Sequence, residues 1–351
     1  MSTLPERDAA KKTRRGTSLA LRGGVGCGTV GAASRQIRAT GAGRVSNRVG
    51  PLRSEVEEMS TEPDGNGQAR LAYGAIGVSD IDQSLWFYCD VLGFNLVGSS
   101  PLEDGRSGRR ARAFHLTCAG GGIDLLTLGD HRAASSWLWD DRQVGVRHLG
   151  IKVASVDEWA QRLHSVGTPF RIEPVDAVGN VRLAFFEDPD GANLEIVQGH
   201  LEYSKVCDSS LVAQEREAGL PASTTVRFDH VAVSTTNLDA TLAFYERSFG
   251  FQSIGQLYYD DDPRGLTITM LSAGPAKLEV FTFTTPTTTC PWEPDANFAG
   301  LRHVGIGTGD LATTTHQAMT AGATVAAETG SRARTMLVDP DGIPLEVVTS
   351  A

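Results

Sequence analysis

Four residues in the second half of the chain are of types that bind transition metals, and they recur in the same order. His230 and His303 each open a strand of alternating apolar residues, and Glu279 and Glu346 each lie in a later strand of the same unit. Two imidazoles and two carboxylates without a thiolate suit Zn, Ni, Co, Mn or Fe(II), with water completing the coordination. A single buried histidine is more often a hydrogen-bonded core residue. Four donors at repeated positions instead favour a metal site formed by His230, Glu279, His303 and Glu346.

The equivalent positions in the first half hold a weaker set of donors, Tyr73, Asp124, His148 and Glu195. Tyrosine lacks the neutral nitrogen of histidine, and aspartate is one methylene shorter than glutamate. Lys152 follows His148 at alternate-residue spacing, so it would share a strand face and repel a divalent ion. Two interpretations stay open, a degenerate half kept for structure or ligand binding and a second, modified metal site at these four positions.

These residues lie in a unit that occurs four times. Strand-like openings at Tyr73, His148, His230 and His303 are each followed by a Ser/Thr/Asp/Asn cluster that can cap a helix, and then by an amphipathic helical stretch. Short strands follow. The second and fourth copies end in DPDGANLEIVQ and DPDGIPLEVVT, each a Pro and Gly turn before a strand. We therefore predict a β-α-β-β-β unit, repeated four times, in an α+β fold with curved sheets.

Alternation along the opening strands predicts which side chains share a face. His230 shares a face with Ala232 and Ser234, and His303 shares one with Gly305. Small residues thus follow both histidines, which predicts room for a ligand beside each imidazole. Two copies facing each other would bring their histidines and glutamates together. The sequence leaves open whether copies pair within each half of the chain or across the halves.

The repeat, the H-V-x-[IV] openings, the FY pair in the helix and the D-P-D-G-x-x-[LI]-E endings resemble the vicinal-oxygen-chelate superfamily, which contains glyoxalase I, bleomycin resistance proteins and extradiol dioxygenases. The resemblance covers about residues 70–200 and 227–350. It implies four βαβββ modules that form two cupped, barrel-like glyoxalase/dioxygenase-type domains around a divalent metal ion. It also implies that the four ligand positions of glyoxalase-type members correspond to His230, Glu279, His303 and Glu346.

The resemblance leaves a choice of reactions, because one scaffold hosts several chemistries. A glyoxalase-type lyase or isomerase would act on a small oxygenated metabolite through a metal-stabilised enolate, with Glu346 or Glu279 as the general base. An extradiol ring-cleaving dioxygenase would use His230, His303 and Glu346 with iron. Against it, Met336 stands where that pattern expects a tyrosine, and the expected upstream histidine is missing. A non-catalytic, bleomycin-resistance-like binding protein is the third alternative.

Composition and charge limit the partners. The chain has 351 residues and a formal net charge of -10, which argues against nucleic acid as a partner. No stretch approaches the roughly 18 unbroken apolar residues of a membrane helix. Five scattered cysteines without a C-x-x-C pair indicate a reduced, cytoplasmic protein. We therefore expect a small-molecule substrate, no nucleic-acid or membrane partner, and a monomer or homodimer.

Composition also divides the chain into segments. Residues 1–68 are predicted to be a disordered, Arg-rich extension, because eleven Lys or Arg precede residue 54 against only two acidic residues. Residues 69–200 are predicted as an N-terminal vicinal-oxygen-chelate domain, residues 201–225 as a linker, and residues 226–351 as a C-terminal domain that holds the metal site.

Overall fold

The computed structural model of the chain describes residues 68–102, 111–127, 137–222, 224–290, 292, 299–327 and 333–349. Apart from Gln68, the predicted extension lies outside the described residues. In the part of the chain that is described, no helix has the length and apolar character required to cross a membrane.

In the described ranges, seventeen strands and five helices follow one another in a repeated order. The first nine strands are β1 Arg70–Val78, β2 Asn95–Leu102, β3 Ala111–Cys118, β4 Gly121–Thr127, β5 Gly145–Val153, β6 Phe170–Asp176, β7 Arg182–Glu187, β8 Asn193–Gln198 and β9 Lys205–Val206. The remaining strands are β10 Val226–Ser234, β11 Gln252–Tyr258, β12 Thr267–Ala273, β13 Ala276–Thr282, β14 Gly300–Thr308, β15 Thr324–Ala327, β16 Arg334–Val338 and β17 Pro344–Thr349.

The helices begin where the sequence predicts caps. They are α1 Ile81–Leu85 (continued by a π-helix over Trp86–Val91), α2 Val156–Ser165, α3 Ser209–Glu217, α4 Leu238–Phe249 and α5 Leu311–Thr320. In the four repeats, Asp80, Ser155, Asn237 and Asp310 each accept a backbone N–H of the first turn. Gly250 ends α4 in the left-handed conformation, with φ 73°, which glycine adopts without a steric penalty.

The strands form two open sheets. The eight-stranded sheet has the order β15-β16-β17-β14-β1-β4-β3-β2, and the nine-stranded sheet has the order β6-β7-β8-β5-β10-β13-β12-β11-β9. Module 1 comprises β1–β4 with α1, module 2 β5–β8 with α2, module 3 β10–β13 with α4, and module 4 β14–β17 with α5. The α+β fold of four βαβββ modules is therefore confirmed, with sheets that do not close into barrels.

Each sheet joins modules from opposite halves of the chain. Modules 4 and 1 meet through antiparallel pairing of β14 and β1, and modules 2 and 3 meet through antiparallel pairing of β5 and β10. One face of both sheets packs on the helices in a continuous apolar core with contributions from all four modules, including Leu149, Val231 and Val304. The other face of the nine-stranded sheet, here called the site face, is covered near β11 and β12 by a separate apolar cluster.

A hydrogen bond between successive modules explains two of the sequence motifs. Tyr88, from the FY pair after α1, donates to Oδ2 of Asp188 in the first DPDG turn at 2.8 Å. Tyr245, from the FY pair in α4, donates to Oδ2 of Asp339 in the second DPDG turn at 3.3 Å. Both tyrosines are fully buried, so these bonds satisfy hydroxyl groups that would otherwise cost free energy in the core. They fasten the helix of one module to the turn of the next.

Candidate metal site

The centre of the nine-stranded sheet brings two imidazoles and two carboxylates together. His148 and Glu195 lie on the neighbouring strands β5 and β8, and His230 and Glu279 lie on β10 and β13. Gly150 pairs with His230 across the junction of β5 and β10. A Cβ atom at position 150 would lie 2.1 Å from the His230 ring, so this glycine makes room for the imidazole. We call His148, Glu195, His230 and Glu279 the quartet.

His148, His230 and Glu279 place donor atoms within 4.8 Å of one another, and Glu195 reaches both imidazoles. The Nε2 atoms of His148 and His230 are 2.9 Å apart. Oε2 of Glu279 lies 3.1 Å from Nε2 of His148 and 3.4 Å from Nε2 of His230. Oε2 of Glu195 lies 2.9 Å from Nε2 of His230 and 3.5 Å from Nε2 of His148. Donor atoms that share one ion at about 2.0–2.2 Å are roughly 3–3.5 Å apart, so the separations among His148, His230 and Glu279 fit a single ion.

Burial and mutual charge shift the titration of the quartet. Burial acts to lower the pKa of His230, but the charges and hydrogen bonds of Glu279, Asp229 and Glu195 raise it to about 10. The pKa of His148 is also raised, because bonds from Glu195 and Glu279 outweigh burial. Conversely, burial acts to raise the pKa of Glu195, but its bonds to both imidazoles lower it to about 2. Without an ion, protons on the imidazoles compensate the carboxylates.

Asp229 contacts the imidazole of His230 at Nδ1. Its Oδ2 lies 3.0 Å from Nδ1 of His230, and its Oδ1 accepts a bond from Arg227 at 2.8 Å. Lys277 Nζ lies 3.0 Å from Oδ2 of the same carboxylate. Burial acts to raise the pKa of Asp229, but Lys277 and His230 hold this pKa well below its usual range. A carboxylate bonded to Nδ1 fixes the orientation of the imidazole ring and leaves Nε2 as the atom that can bind a metal ion. This is the common arrangement around metal-binding histidines.

The segment between the halves completes this network. Residues 201–225, predicted as a linker, connect modules 2 and 3 and also contain β9 and α3. Glu215 of α3 accepts Lys277 Nζ at 2.9 Å and the Tyr203 hydroxyl at 2.6 Å. Val212 of α3 belongs to the apolar cluster on the site face. The linker therefore closes one end of the site as well as joining the halves.

A cleft lies over the quartet and is walled mainly by apolar side chains. The Phe185 and Phe281 rings lie 5.0 and 5.8 Å from the His148 ring, and Trp139 lies 6.2 Å from Phe185. The wall on the module 3 side is formed by Leu257, Leu266, Ile268 and Met270. A largely apolar cleft with a few convergent polar groups is typical of a small-molecule site.

The equivalent positions in the eight-stranded sheet are Tyr73, Asp124, His303 and Glu346. The Tyr73 hydroxyl donates to Oε2 of Glu346, and Nε2 of His303 lies 3.5 Å from the same oxygen. Arg334 approaches Oε1 of Glu346 at 3.3 Å. Burial acts to raise the pKa of Glu346, but bonds and charges from His303, Arg334 and Tyr73 lower it to about 2. An arginine thus supplies the positive charge beside this carboxylate.

Asp124 is also paired outside the predicted set. Nδ1 of His115, a residue to which the sequence assigned no role, lies 2.9 Å from its Oδ1. Ser100 lies 3.0 Å from the other ring nitrogen of His115 and also accepts from Arg334 at 3.3 Å. Both carboxylates at the quartet-equivalent positions of this sheet therefore have protein partners.

The structure corrects both groupings predicted from the sequence. The set His230, Glu279, His303 and Glu346 is divided, because β10 and β13 lie in the nine-stranded sheet whereas β14 and β17 lie in the eight-stranded sheet. The second set is divided in the same way. His148 and Glu195 meet His230 and Glu279, while Tyr73 and Asp124 meet His303 and Glu346. The physical reason is that strand pairing across the halves joins module 2 to module 3 and module 4 to module 1.

The room predicted beside the His303 imidazole is filled by the partner strand. Gly305, expected to leave space for a ligand, faces the Tyr73 ring, and a Cβ atom there would lie 2.4 Å from it. Sequence reasoning also missed Asp229 and Lys277. The sequence could have indicated Lys277, because it lies two residues before Glu279 and therefore on the same face of β13.

A family model described as the Glyoxalase/Bleomycin resistance protein/Dioxygenase superfamily matches residues 70–196 and 227–347. The chain belongs to this superfamily. A relative named "Probable lactoylglutathione lyase" from Synechocystis sp. is 29% identical over 133 residues, which are 36% of this chain and 94% of that protein. "Probable lactoylglutathione lyase, chloroplastic" from Arabidopsis thaliana is 23% identical over 292 residues, which are 79% of this chain and 72% of that protein.

Solved structures of the superfamily share the fold. Glyoxalase I from Zea mays aligns with a TM-score of 0.57 and 20% identity, over 80% of this chain and 92% of that chain. A putative dioxygenase from Bacillus subtilis aligns with a TM-score of 0.54 and 16% identity, over 80% of this chain and 86% of that chain. Proteins with differently named activities thus share this architecture, so the reaction has to be inferred from the site itself.

Proposed function

We propose that this protein is a divalent-metal-dependent lyase or isomerase of glyoxalase type. Its substrate is a small metabolite with two neighbouring oxygens, and the reaction passes through an enolate. The observation that carries the proposal is the convergence of His148, Glu195, His230 and Glu279 within a mainly apolar cleft. The names of the two lyase relatives support the reaction class.

The quartet is the proposed ion site. His148, His230, Glu195 and Glu279 would hold Zn, Ni, Co, Mn or Fe(II), because imidazole nitrogens and carboxylate oxygens without thiolates suit these ions. When bound, the ion polarises a carbonyl oxygen and stabilises the negative charge that develops on it. Glu195 and Glu279 together balance the two charges of such an ion.

Glu279 is the better placed of the two glutamates to act as the general base. Its side chain is 12% exposed, compared with 6% for Glu195, so Glu279 reaches further into the cleft. In the proposed reaction the Glu279 carboxylate takes a proton from the carbon next to the substrate carbonyl. It then returns the proton to the former carbonyl carbon, while the hydroxyl proton moves to the former carbonyl oxygen (isomerase), or it returns the proton to the same carbon (epimerase), so that no oxidant is needed. Phe185, Phe281 and Trp139 reduce the access of water to this proton transfer.

Ion-dependent proton exchange tests the proposal. We expect the ion-loaded protein to convert the hemithioacetal of methylglyoxal and glutathione, or a simple 2-hydroxy ketone. In deuterium oxide, label should enter the carbon next to the carbonyl, as measured by NMR. The matched control is the same protein after treatment with a chelator, which should show no exchange beyond the buffer. Oxygen uptake with a panel of catechols, or tight ligand binding without ion and without exchange, would overturn the proposal.

Ion binding is expected to release protons. Because the pKa of His230 is about 10 without an ion, its ring carries a proton at neutral pH that must leave before Nε2 can bind a metal. The ion affinity should therefore rise as the pH rises toward 10, by about tenfold per pH unit for each proton displaced. Calorimetry in buffers of different ionisation enthalpy measures the number of protons released per bound ion. A pH-independent affinity with no proton release would contradict the proposed ligand role of His230.

A further inference from the structure

A cluster of buried and partly buried charges lies at one end of the cleft, beyond the quartet. It contains three cations, Lys152, Arg227 and Lys277, and two carboxylates, Asp229 and Glu215. Four of the five line the cleft itself, and Arg227 is bonded to Asp229 behind them. A divalent ion would be balanced by the glutamates of the quartet, so the cluster keeps one uncompensated positive charge.

Lys152 is the member of this cluster without a carboxylate partner. Arg227 and Lys277 both lie within 3.0 Å of Asp229, and Lys277 also binds Glu215. Lys152 Nζ instead donates to the backbone carbonyl of Gly199 just after β8. Of the residues the structure describes, none places a carboxylate within ion-pair distance of Lys152.

The position of Lys152 relative to the quartet is set by strand geometry. Lys152 follows His148 by four residues on β5, so both side chains lie on the site face with Cα atoms about 13 Å apart. The lysine is only partly buried, and the cleft that it lines also includes His148, Glu195, His230 and Glu279. A ligand of a few carbons that contacts the quartet at one end can therefore extend toward the ammonium group.

The environment of Lys152 favours an incoming anion. Burial, the largest influence, lowers the pKa of Lys152; the charges of Asp229 and Glu215 act to raise it, and those of Lys277 and Arg227 act to lower it. A partly desolvated ammonium without a counter-ion gains free energy when an anion replaces the missing hydration.

We propose that Lys152 binds an anionic group at the far end of the substrate, so that the substrate is an oxygenated metabolite with a carboxylate distant from its two neighbouring oxygens. This proposal rests on the proposed function, because it takes the quartet as the other anchor. It assigns Lys152 a role in choosing the substrate, separate from the proton transfer at Glu279.

Pairs of 2-oxo acids that differ only at the far end test this proposal. The probes are 2-oxoglutarate against 2-oxopentanoate, and 2-oxopimelate against 2-oxoheptanoate, in which a methyl group replaces the distal carboxylate. We expect wild-type protein to bind at least one dicarboxylate about tenfold or more tighter than its methyl counterpart, as a charge-assisted hydrogen bond requires. Lys152→Met should remove the preference, and Lys152→Arg should retain most of it. Calorimetry measures all the affinities.

The design separates this proposal from the proposed function. Ion uptake is measured first, and Lys152→Met should take up the ion at least as tightly as wild type, which also shows that the variant is folded. Each pair is then compared with and without ion, because both members of a pair present the same groups to the quartet. No preference for the dicarboxylate in either state, or a preference that survives in Lys152→Met, overturns the role of Lys152. Failure of ion uptake in wild type overturns the proposed function alone.

Discussion

Alanine in place of His230 is expected to weaken the binding of a divalent ion at least about hundredfold, whereas alanine in place of His303 should leave the affinity within about threefold of wild type. His230 places Nε2 within 3.5 Å of donors on His148, Glu195 and Glu279. Its removal takes away one of four ligands and leaves the two carboxylates less compensated. Metal analysis of the purified protein and competition with a chromophoric chelator provide the measurement.

His303→Ala is a closely matched control. Both histidines are 4% exposed, and both lie at equivalent positions in the opening strand of a module. The loss of stability caused by removing a buried imidazole should therefore be similar in the two variants. They differ in their neighbours, because His303 faces Tyr73 and a Glu346 already paired with Arg334. Equal loss of ion in both variants, or loss in His303→Ala alone, would show that the ion is not held by the quartet.

The repeat made most of the architecture predictable. Four copies of one pattern, each with caps and turns at matching places, predicted the βαβββ module, and alternation predicted the face of each strand. The Ser, Asp and Asn clusters became helix caps, and the paired FY and DPDG motifs became contacts between modules. The module and its caps depend on residues close together in the sequence, so a single sequence was sufficient to predict them, whereas the contacts between the FY and DPDG motifs join residues 100 and 94 positions apart.

The pairing of modules was not predictable in the same way. Each module offers a donor on its first strand and another on its last, so every arrangement of two modules produces a chemically reasonable set. The choice depends on side chains that meet across a sheet, such as Gly150 against the His230 ring and Gly305 against the Tyr73 ring. These contacts join residues 80 or more positions apart, and alternation within one strand carries no information about them. The assignment of the site to the C-terminal half failed for this reason.

The same contacts suggest how a better prediction could be made from the sequence. A glycine two residues after the opening donor is compatible with a bulky ring on the partner strand, which pairs Gly150 with His230 and Gly305 with Tyr73. When the glycine rule and pairing across the halves are both applied, the pairs are module 2 with module 3 and module 4 with module 1, and of these only the first gathers two histidines and two glutamates. The chemistry of the donors thus ranks the arrangements once pairing across the halves is considered.

Glutamine in place of Glu279 is expected to lower kcat by about 10²–10⁴-fold when the ion is saturating, because the amide cannot accept the substrate proton. Glu346→Gln is the matched variant, since Glu346 is buried at the equivalent position of the other sheet, bonded to Tyr73 and Arg334. It should retain kcat within about threefold, with a stability loss of roughly 1–3 kcal/mol from the weakened pair with Arg334.

The two variants also separate chemistry from ion binding. Glu279→Gln keeps an oxygen that can face the ion, so its ion content is restored by raising the ion concentration while kcat remains low. A loss of kcat that disappears at high ion concentration would restrict Glu279 to ion binding and move the proton transfer to Glu195, which also contacts both imidazoles. A loss of kcat in Glu346→Gln with normal kcat in Glu279→Gln would instead place the reaction in the eight-stranded sheet. The proposed site in the nine-stranded sheet would then be wrong.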